Sequence, residues 1–217
     1  MKNQINIKIA AGQTEVNYWK DLWKYRELLY FLAWRDVLVR YKQTLIGVTW
    51  ALLQPLLIMT IFCVVFGIIA KLPSNDIPYP ILVLCGMLPW LFFSSAFSES
   101  GQSLITNSNL ISKVYFPRIL IPTSAIAPYV IDFCITGAFL TILLIYFSTL
   151  PNWKIITLPI FFIFTLLLAI GAGLWVAALN VKYRDFRYIV PFILQIGLYV
   201  SPVGFSSSMV PPKWRNI

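Results

Sequence analysis

Residues Ile155–Val181 read IITLPIFFIFTLLLAIGAGLWVAALNV, with no Asp, Glu, Lys or Arg in the run. A helix that crosses a bilayer needs about 20 predominantly apolar residues, and this run exceeds that length without an ionised group to hydrate. Four more such runs accompany it: Gln43–Ala70, Ile77–Ser98, Ile119–Trp153 (broken once, by Asp132) and Tyr188–Pro212. None alternates apolar and polar residues in segments of about ten, as barrel strands do. The pattern predicts an all-α integral membrane protein, a polytopic helical bundle with five visible spans. Short turns rich in Pro and Asn separate them, at Lys71–Pro78 and Thr149–Trp153.

The rest of the composition agrees. Of 217 residues, 59% are hydrophobic and 12% charged, where a soluble domain carries about a quarter charged. Mean hydropathy is +0.78. The net charge of +9 would suggest a polyanion as partner of a soluble chain. Here it is read instead as loop charge on the cytoplasmic side, and no nucleic acid is expected. Cys63, Cys85 and Cys134 stand alone inside apolar runs, so no disulfide framework is implied. There is no His, which excludes His-based triads and the zinc-hydrolase motifs. The pattern GxxxxGK[ST] is absent, so ATP driving any transport must be hydrolysed by another chain. No catalytic residue, metal or cofactor is expected here. Met1–Val16 is polar, unlike a signal peptide.

Charge asymmetry sets the orientation. The basic residues from Lys2 to Lys42, with Lys113, Arg118, Lys182, Arg184 and Arg187, fall on one side of the spans. Lys71, Lys154, Lys213 and Arg215 fall on the other. The positive-inside rule therefore puts the N-terminus in the cytoplasm. Five spans then leave the C-terminus outside, which suggests a chain that is truncated or lacks one further span.

Three regions follow: a polar arm over 1–16, an amphipathic interfacial helix and elbow over 17–42, and a transmembrane domain over 43–217. In the second, Tyr18, Leu22, Tyr25, Leu29 and Leu32 recur at helical spacing, widened by Trp19, Trp23 and Trp34. Lys20, Asp21, Lys24, Arg26 and Glu27 largely take the opposite face. A basic helix rich in Trp and Tyr settles in the headgroup layer.

Within the spans, Asp132 is costly unless it meets a partner or a pathway; a proton relay would want a second acid or a His at similar depth, but Glu99 lies near the cytoplasmic end of its span and there is no His, so local pairing is the plainer reading. Trp90, Phe93 and Phe97 share one helical face, with Phe92 beside them, and suit either sugar stacking or plain packing. Gly171-Ala172-Gly173 follows no strand and is read as close helix packing. Pro55, Pro89, Pro128 and Pro202 interrupt apolar runs as static bends.

Three ordered segments carry a family resemblance. They are Arg35-Asp36-Val37-Leu38-Val39-Arg40-Tyr41-Lys42-Gln43-Thr44-Leu45-Ile46-Gly47 running on to Trp50, Leu53 and Pro55; Asn109-Leu110-Ile111-Ser112-Lys113-Val114-Tyr115-Phe116-Pro117-Arg118; and Asn180-Val181-Lys182-Tyr183-Arg184-Asp185-Phe186-Arg187-Tyr188-Ile189, followed by Gln195 and Ser201-Pro202-Val203. Together they resemble the permease subunit of type-2 ABC exporters, in the branch that exports O-antigen and related polysaccharides. The resemblance implies a six-span subunit of the bacterial inner membrane that forms a homodimer, binds two copies of an ATPase subunit (which hold ATP and Mg) and exports a lipid-linked polysaccharide of O-antigen, capsule or teichoic-acid type. It further implies a coupling helix over Ser103–Tyr115 and a second cytoplasmic contact over Val181–Arg187. ATPase docking then falls to Ser103, Asn107, Asn109, Lys113, Tyr115, Lys182, Arg184, Asp185 and Arg187. Trp90, Phe92, Phe93 and Phe97 become the substrate path. Arg35, Arg40 and Lys42 are expected to draw the lipid pyrophosphate by charge. Family members continue past Pro211-Pro212-Lys213-Trp214 with a sixth span. The alternatives are a type-2 exporter of a small hydrophobic compound or drug, and a membrane enzyme acting on lipid-linked sugars.

Overall fold

The computed structural model describes residues 22–42, 47–73, 77–149, 153–201 and 203. Among them every regular element is helical. Helix α1 is Arg26–Lys42, preceded by a helical turn from Leu22. Helix α2, Gly47–Phe62, runs on as a π-helical stretch over Cys63–Ile69. Then come α3 (Tyr79–Thr106), α4 (Ser108–Lys113), α5 (Leu120–Ser124), α6 (Ala127–Tyr146), a 3-10 turn over Trp153–Thr157, α7 (Leu158–Lys182) and α8 (Phe186–Val200).

Among the described residues four helices are long and apolar enough to cross a membrane: Thr49–Ile69, Tyr79–Thr106, Leu120–Tyr146 and Ile155–Lys182. The surface agrees, since Phe161, Phe164, Leu167, Leu168 and Trp175 of α7 are exposed. An apolar face of that extent demands lipid or a partner. Within the expected fifth span, Tyr188–Pro212, the described residues form the 15-residue apolar α8. At 1.5 Å per residue α8 is about 22 Å long, against about 30 Å of hydrocarbon. Beyond it Val203 packs back on α3, its carbonyl close to Gly86. Pro202 and residues 204–217 lie outside the described residues.

The second span is longer than its apolar run. It was expected to end at Ser98, and it continues to Thr106, 28 residues in all. The reason lies in its packing on α7, the most extensive helix–helix contact in the molecule. Ala96, Ser100, Gly101 and Ser103 of α3 and Ala169, Gly173, Ala177 and Asn180 of α7 are all buried. Gly173 backs onto Ser100 and Gly101 onto Val176. Asn180 Nδ2 donates to the Gly101 carbonyl at 2.8 Å, and the Ser103 hydroxyl bonds back to the Ser100 carbonyl at 2.7 Å. Small residues let the two backbones approach, and in lipid that close contact replaces the hydrophobic drive. Serine and glycine that read as a loop are thus the tightest part of the bundle.

Proline acts less uniformly than expected. Pro55 and Pro89 lie inside their helices, as does Pro191 in α8. Pro128 sits in the first turn of α6, where its missing N–H leaves no bond unmade.

Helix α1 presents two apolar faces. Leu32, with Leu22, Tyr25, Leu28 and Leu29, packs against Phe116, Leu120, Ile121, Leu104, Leu110 and Ile111. The expected stripe therefore lies against protein. Trp23 and Trp34, assigned to the same stripe from the sequence, are exposed elsewhere with Tyr30 and Phe31. Those four rings form the surface available to headgroups. The arm 1–16 and residues 17–21, Tyr18 and Trp19 included, lie outside the described residues.

Candidate functional site

The polar residues of the bundle gather at the helix ends that carry most of the positive charge. The first group joins α1 to the spans. Arg35 donates to Asp36 Oδ1 through Nε (2.9 Å) and Nη2 (2.7 Å), and Nη2 also donates to Asn107 Oδ1 at 3.0 Å. Arg40 Nη2 meets Asp132 Oδ2 at 2.7 Å, and the Tyr41 hydroxyl donates to Asp132 Oδ1 at 2.5 Å. The Arg40 guanidinium lies 4.4 Å from the centre of the Tyr129 ring. The Tyr129 hydroxyl in turn donates to Glu99 Oε2 at 3.2 Å. Asp132 thus has both a cation and a hydroxyl, the partners its place in a span requires.

Burial opposes the Arg40 charge, but the facing Tyr129 and Asp132 outweigh it, and its pKa stands above the ordinary value. The Tyr41 pKa is also raised, first by burial and then by its hydrogen bond to Asp132. Of the three cations expected to attract a pyrophosphate, Arg35 and Arg40 are therefore engaged with carboxylates. Lys42 is exposed.

The second group is a groove of about 440 Å³ between α3 and α8, closed at its sides by Ile58 of α2 and Tyr129 of α6. Helix α3 lines it with Trp90, Ser94, Ser95, Ser98 and Glu99, and α8 with Gln195 among apolar neighbours. Trp90 is fixed against Gly197, where a Cβ would collide with the indole. Phe93 and Phe97 stack in parallel at 5.5 Å, with Trp90 tilted 6.2 Å from Phe93. Phe92 points elsewhere: it is buried with Phe133 (5.4 Å) and Phe162 (5.1 Å) in the core between α3, α6 and α7. Of the four expected path residues Trp90 lines this groove, while Phe92 lies on the far side, almost wholly buried. Sequence reasoning missed Ser94, Ser95 and Ser98, although hydroxyls in an apolar run were the available signal. A smaller cavity of about 260 Å³, reaching Asp36 and Asn107, shares Glu99 and Tyr129 with this groove. The Tyr129–Glu99 hydrogen bond stands where the two volumes meet.

The third group is the expected docking set. Ser103 is buried in the last turns of α3. Asn107 is the joint between α3 and α4: its Nδ2 donates to the Ser103 carbonyl at 3.0 Å while its Oδ1 accepts from Arg35. Of the segment Ser103–Tyr115 expected to form the coupling helix, Ser108–Lys113 make up the six-residue α4. Asn109, Lys113, Tyr115, Lys182, Arg184, Asp185 and Arg187 are exposed, and Lys182 lies 5.1 Å from the centre of the Tyr183 ring. Between α4 and the α7–α8 turn opens a cavity of about 760 Å³ whose polar lining includes Arg118, Arg184 and Arg187. Among the described residues no cluster of His, Cys, Asp or Glu could hold a metal ion.

The family described as ABC-2 type transporter matches residues 27–217 of the chain. Among curated relatives, the O-antigen export system permease protein RfbA of Myxococcus xanthus is 27% identical over 192 residues, covering 88% of this chain and 73% of the relative. RfbA of Klebsiella pneumoniae is 28% identical over 195 residues, with the same coverage of 88% and 73%. The polysialic acid transport protein KpsM of Escherichia coli is 22% identical over 183 residues, covering 83% of this chain and 70% of the relative.

Proposed function

This chain belongs to the ABC-2 type transporter family, and on that footing we propose that it is the membrane-spanning permease subunit of an ATP-driven exporter of lipid-linked polysaccharide. The observation that carries the substrate class is the groove between α3 and α8. It sets three serine hydroxyls, a carboxylate and a carboxamide beside an indole. Such a surface offers a glycan hydrogen bonds to its hydroxyls and a ring face to its C–H groups, which a hydrophobic drug does not need. Relatives named for O-antigen export and polysialic acid transport support the same class. Glu99 and Asp132 are each held in separate bonds and Asp185 lies on another turn. Among the described residues Asp36 and Glu99 share the smaller cavity, but Arg35 and Tyr129 hold them as Arg40 and Tyr41 hold Asp132, which disfavours sugar-transfer chemistry.

The power source is a separate ATPase, two copies serving a permease homodimer with its N-terminus in the cytoplasm. Its docking surface is α4 with Asn109, Lys113 and Tyr115, together with Lys182 and Asp185 across the cavity, while Asn107 holds α4 to α1. Arg184 and Arg187, also members of the expected set, line the cavity between, and Ser103 lies buried behind α4. The α1 arm and the transmembrane domain then act as one lever, tied by Arg35–Asn107 and Arg40–Asp132.

Co-expression with the ATPase subunit tests this reading. The expected outcome is a complex stable in detergent, with Lys113→Glu and Tyr115→Ala lowering ATPase recovery at least several-fold. A permease that exports glycan to the cell surface with no ATPase bound would overturn it.

A further inference from the structure

We propose that the cavity between α4 and the α7–α8 turn is a binding site for the phosphate-bearing headgroup of an anionic membrane lipid, held by Arg118, Arg184 and Arg187. The inference does not depend on the substrate class proposed above, only on the chain lying in a membrane. Three observations lead to it.

The first is convergence. Arg118 comes from the segment before α5, and Arg184 and Arg187 from the turn between α7 and α8. These stretches are distant in sequence, and the fold brings all three guanidinium groups to one cavity of about 760 Å³. The positive-inside rule explains which side of the membrane they occupy. It does not explain why they share a rim.

The second is the state of their charge. Among the described residues the ion pairs are Arg35–Asp36 and Arg40–Asp132. Asp185 sits in the same turn as Arg184 and Arg187 and pairs with neither of them. A concentration of three guanidinium forks without a carboxylate is suited to phosphate oxygens, which each fork can bind in two places.

The third is depth and lining. Leu104 and Ile105 lie in the last turn of the span ending at Thr106, Asn180 and Val181 in the last turn of the span ending at Lys182, and Arg118 just ahead of the span beginning at Leu120. The cavity therefore stands at headgroup level. Beside the arginines its lining is largely apolar, with Leu104, Ile105, Ile111 and Val181, and it includes the exposed Tyr188 of α8. An amphiphile fits that lining, with phosphate at the arginines and the start of its chains against the apolar side chains. An acidic protein segment would satisfy the arginines but has no need of the apolar lining.

The full chain is purified and reconstituted in mixed phosphatidylglycerol and phosphatidylcholine, and the lipid retained after mild detergent extraction is counted by mass spectrometry. Phosphatidylglycerol is expected to be retained over phosphatidylcholine, and the preference to fall about tenfold or more in the triple variant Arg118→Gln, Arg184→Gln, Arg187→Gln, since each fork loses its charge-assisted hydrogen bonds. The corresponding triple Lys variant, which keeps charge and folding but not the fork, is expected to retain an intermediate preference. Equal retention by wild type and the Gln variant would overturn the proposal. So would displacement of phosphatidylglycerol by millimolar inorganic phosphate, which would make this a free-anion site, or loss of ATPase binding with lipid retention unchanged, which would assign the arginines to an acidic protein segment. None of these readouts involves export, so failure here leaves the transport reading standing.

Discussion

The Arg40–Asp132 bond joins residues 92 positions apart and fastens the interfacial helix to the third span. The sequence states half of this: a carboxylate inside an apolar run needs a partner. It does not name the partner, because Arg40 belongs to a motif that reads as loop charge and the distance is closed only by the fold. Removing one member leaves the other charge half-buried. Asp132→Asn or Arg40→Gln is therefore expected to destabilise the protein by ~1–2 kcal/mol, tempered by the solvent that still reaches the pair. The double variant should lose less than the sum of the two, by about 1 kcal/mol. Thermal unfolding in detergent reads all three, and strict additivity would deny the bond. Tyr41 adds a pH dependence. Its folded pKa is raised above the ordinary value of about 10, so its contribution is complete at neutral pH and is lost as pH rises through the folded value. Wild type should accordingly lose stability in alkali more steeply than Tyr41→Phe, with no difference between them arising from this group below about pH 9.

Among the elements, the four long spans are legible because each apolar run exceeds bilayer thickness, whichever residues it contains. The end of α3 is not. Glu99, Gln102 and Ser103 look like the start of a loop, and only contact with α7 shows that Ser100, Gly101 and Ser103 are there for their size. The same limit applies to α1, whose leucines were legible as a helical stripe while the surface they cover was not. It also separates Trp90 from Phe92, neighbours in sequence that the helix sends to a groove and to a core. Helix packing supplies a test with its own control. A Cβ at Gly173 would sit 2.5 Å from Ser100 Oγ and 2.7 Å from its Cβ, whereas one at Gly171 meets nothing within 4 Å. Gly173→Ala is expected to destabilise the bundle by ~1–3 kcal/mol through overpacking, with partial rescue by Ser100→Gly, and Gly171→Ala to be close to neutral. Equal effects at the two glycines would mean that α3 and α7 do not meet as described.

On the scale of the whole molecule, membrane residence, helical class and the side carrying the charge all follow from composition and spacing, since these depend on sums over many residues. The groove, the engaged arginines and the three-arginine cavity depend on which helix ends meet, and sums do not report that. Orientation is open to direct test. In a background with Cys63, Cys85 and Cys134 replaced by Ser, Lys113→Cys should resist a membrane-impermeant maleimide in intact cells and react after permeabilisation, while Ile156→Cys should react in intact cells. The reverse pattern would invert the topology and with it the direction of transport. The central claim is tested most directly by reconstituting the permease with its ATPase subunit in vesicles carrying lipid-linked polysaccharide, and following access of a glycan-specific lectin to the leaflet opposite the ATPase. The account predicts that the glycan appears there only with ATP and Mg, and at a reduced rate when Glu99→Ala, Ser95→Val and Ser98→Val remove the polar lining of the groove. Appearance at the same rate without ATP, or no appearance while a hydrophobic drug is moved instead, would contradict it.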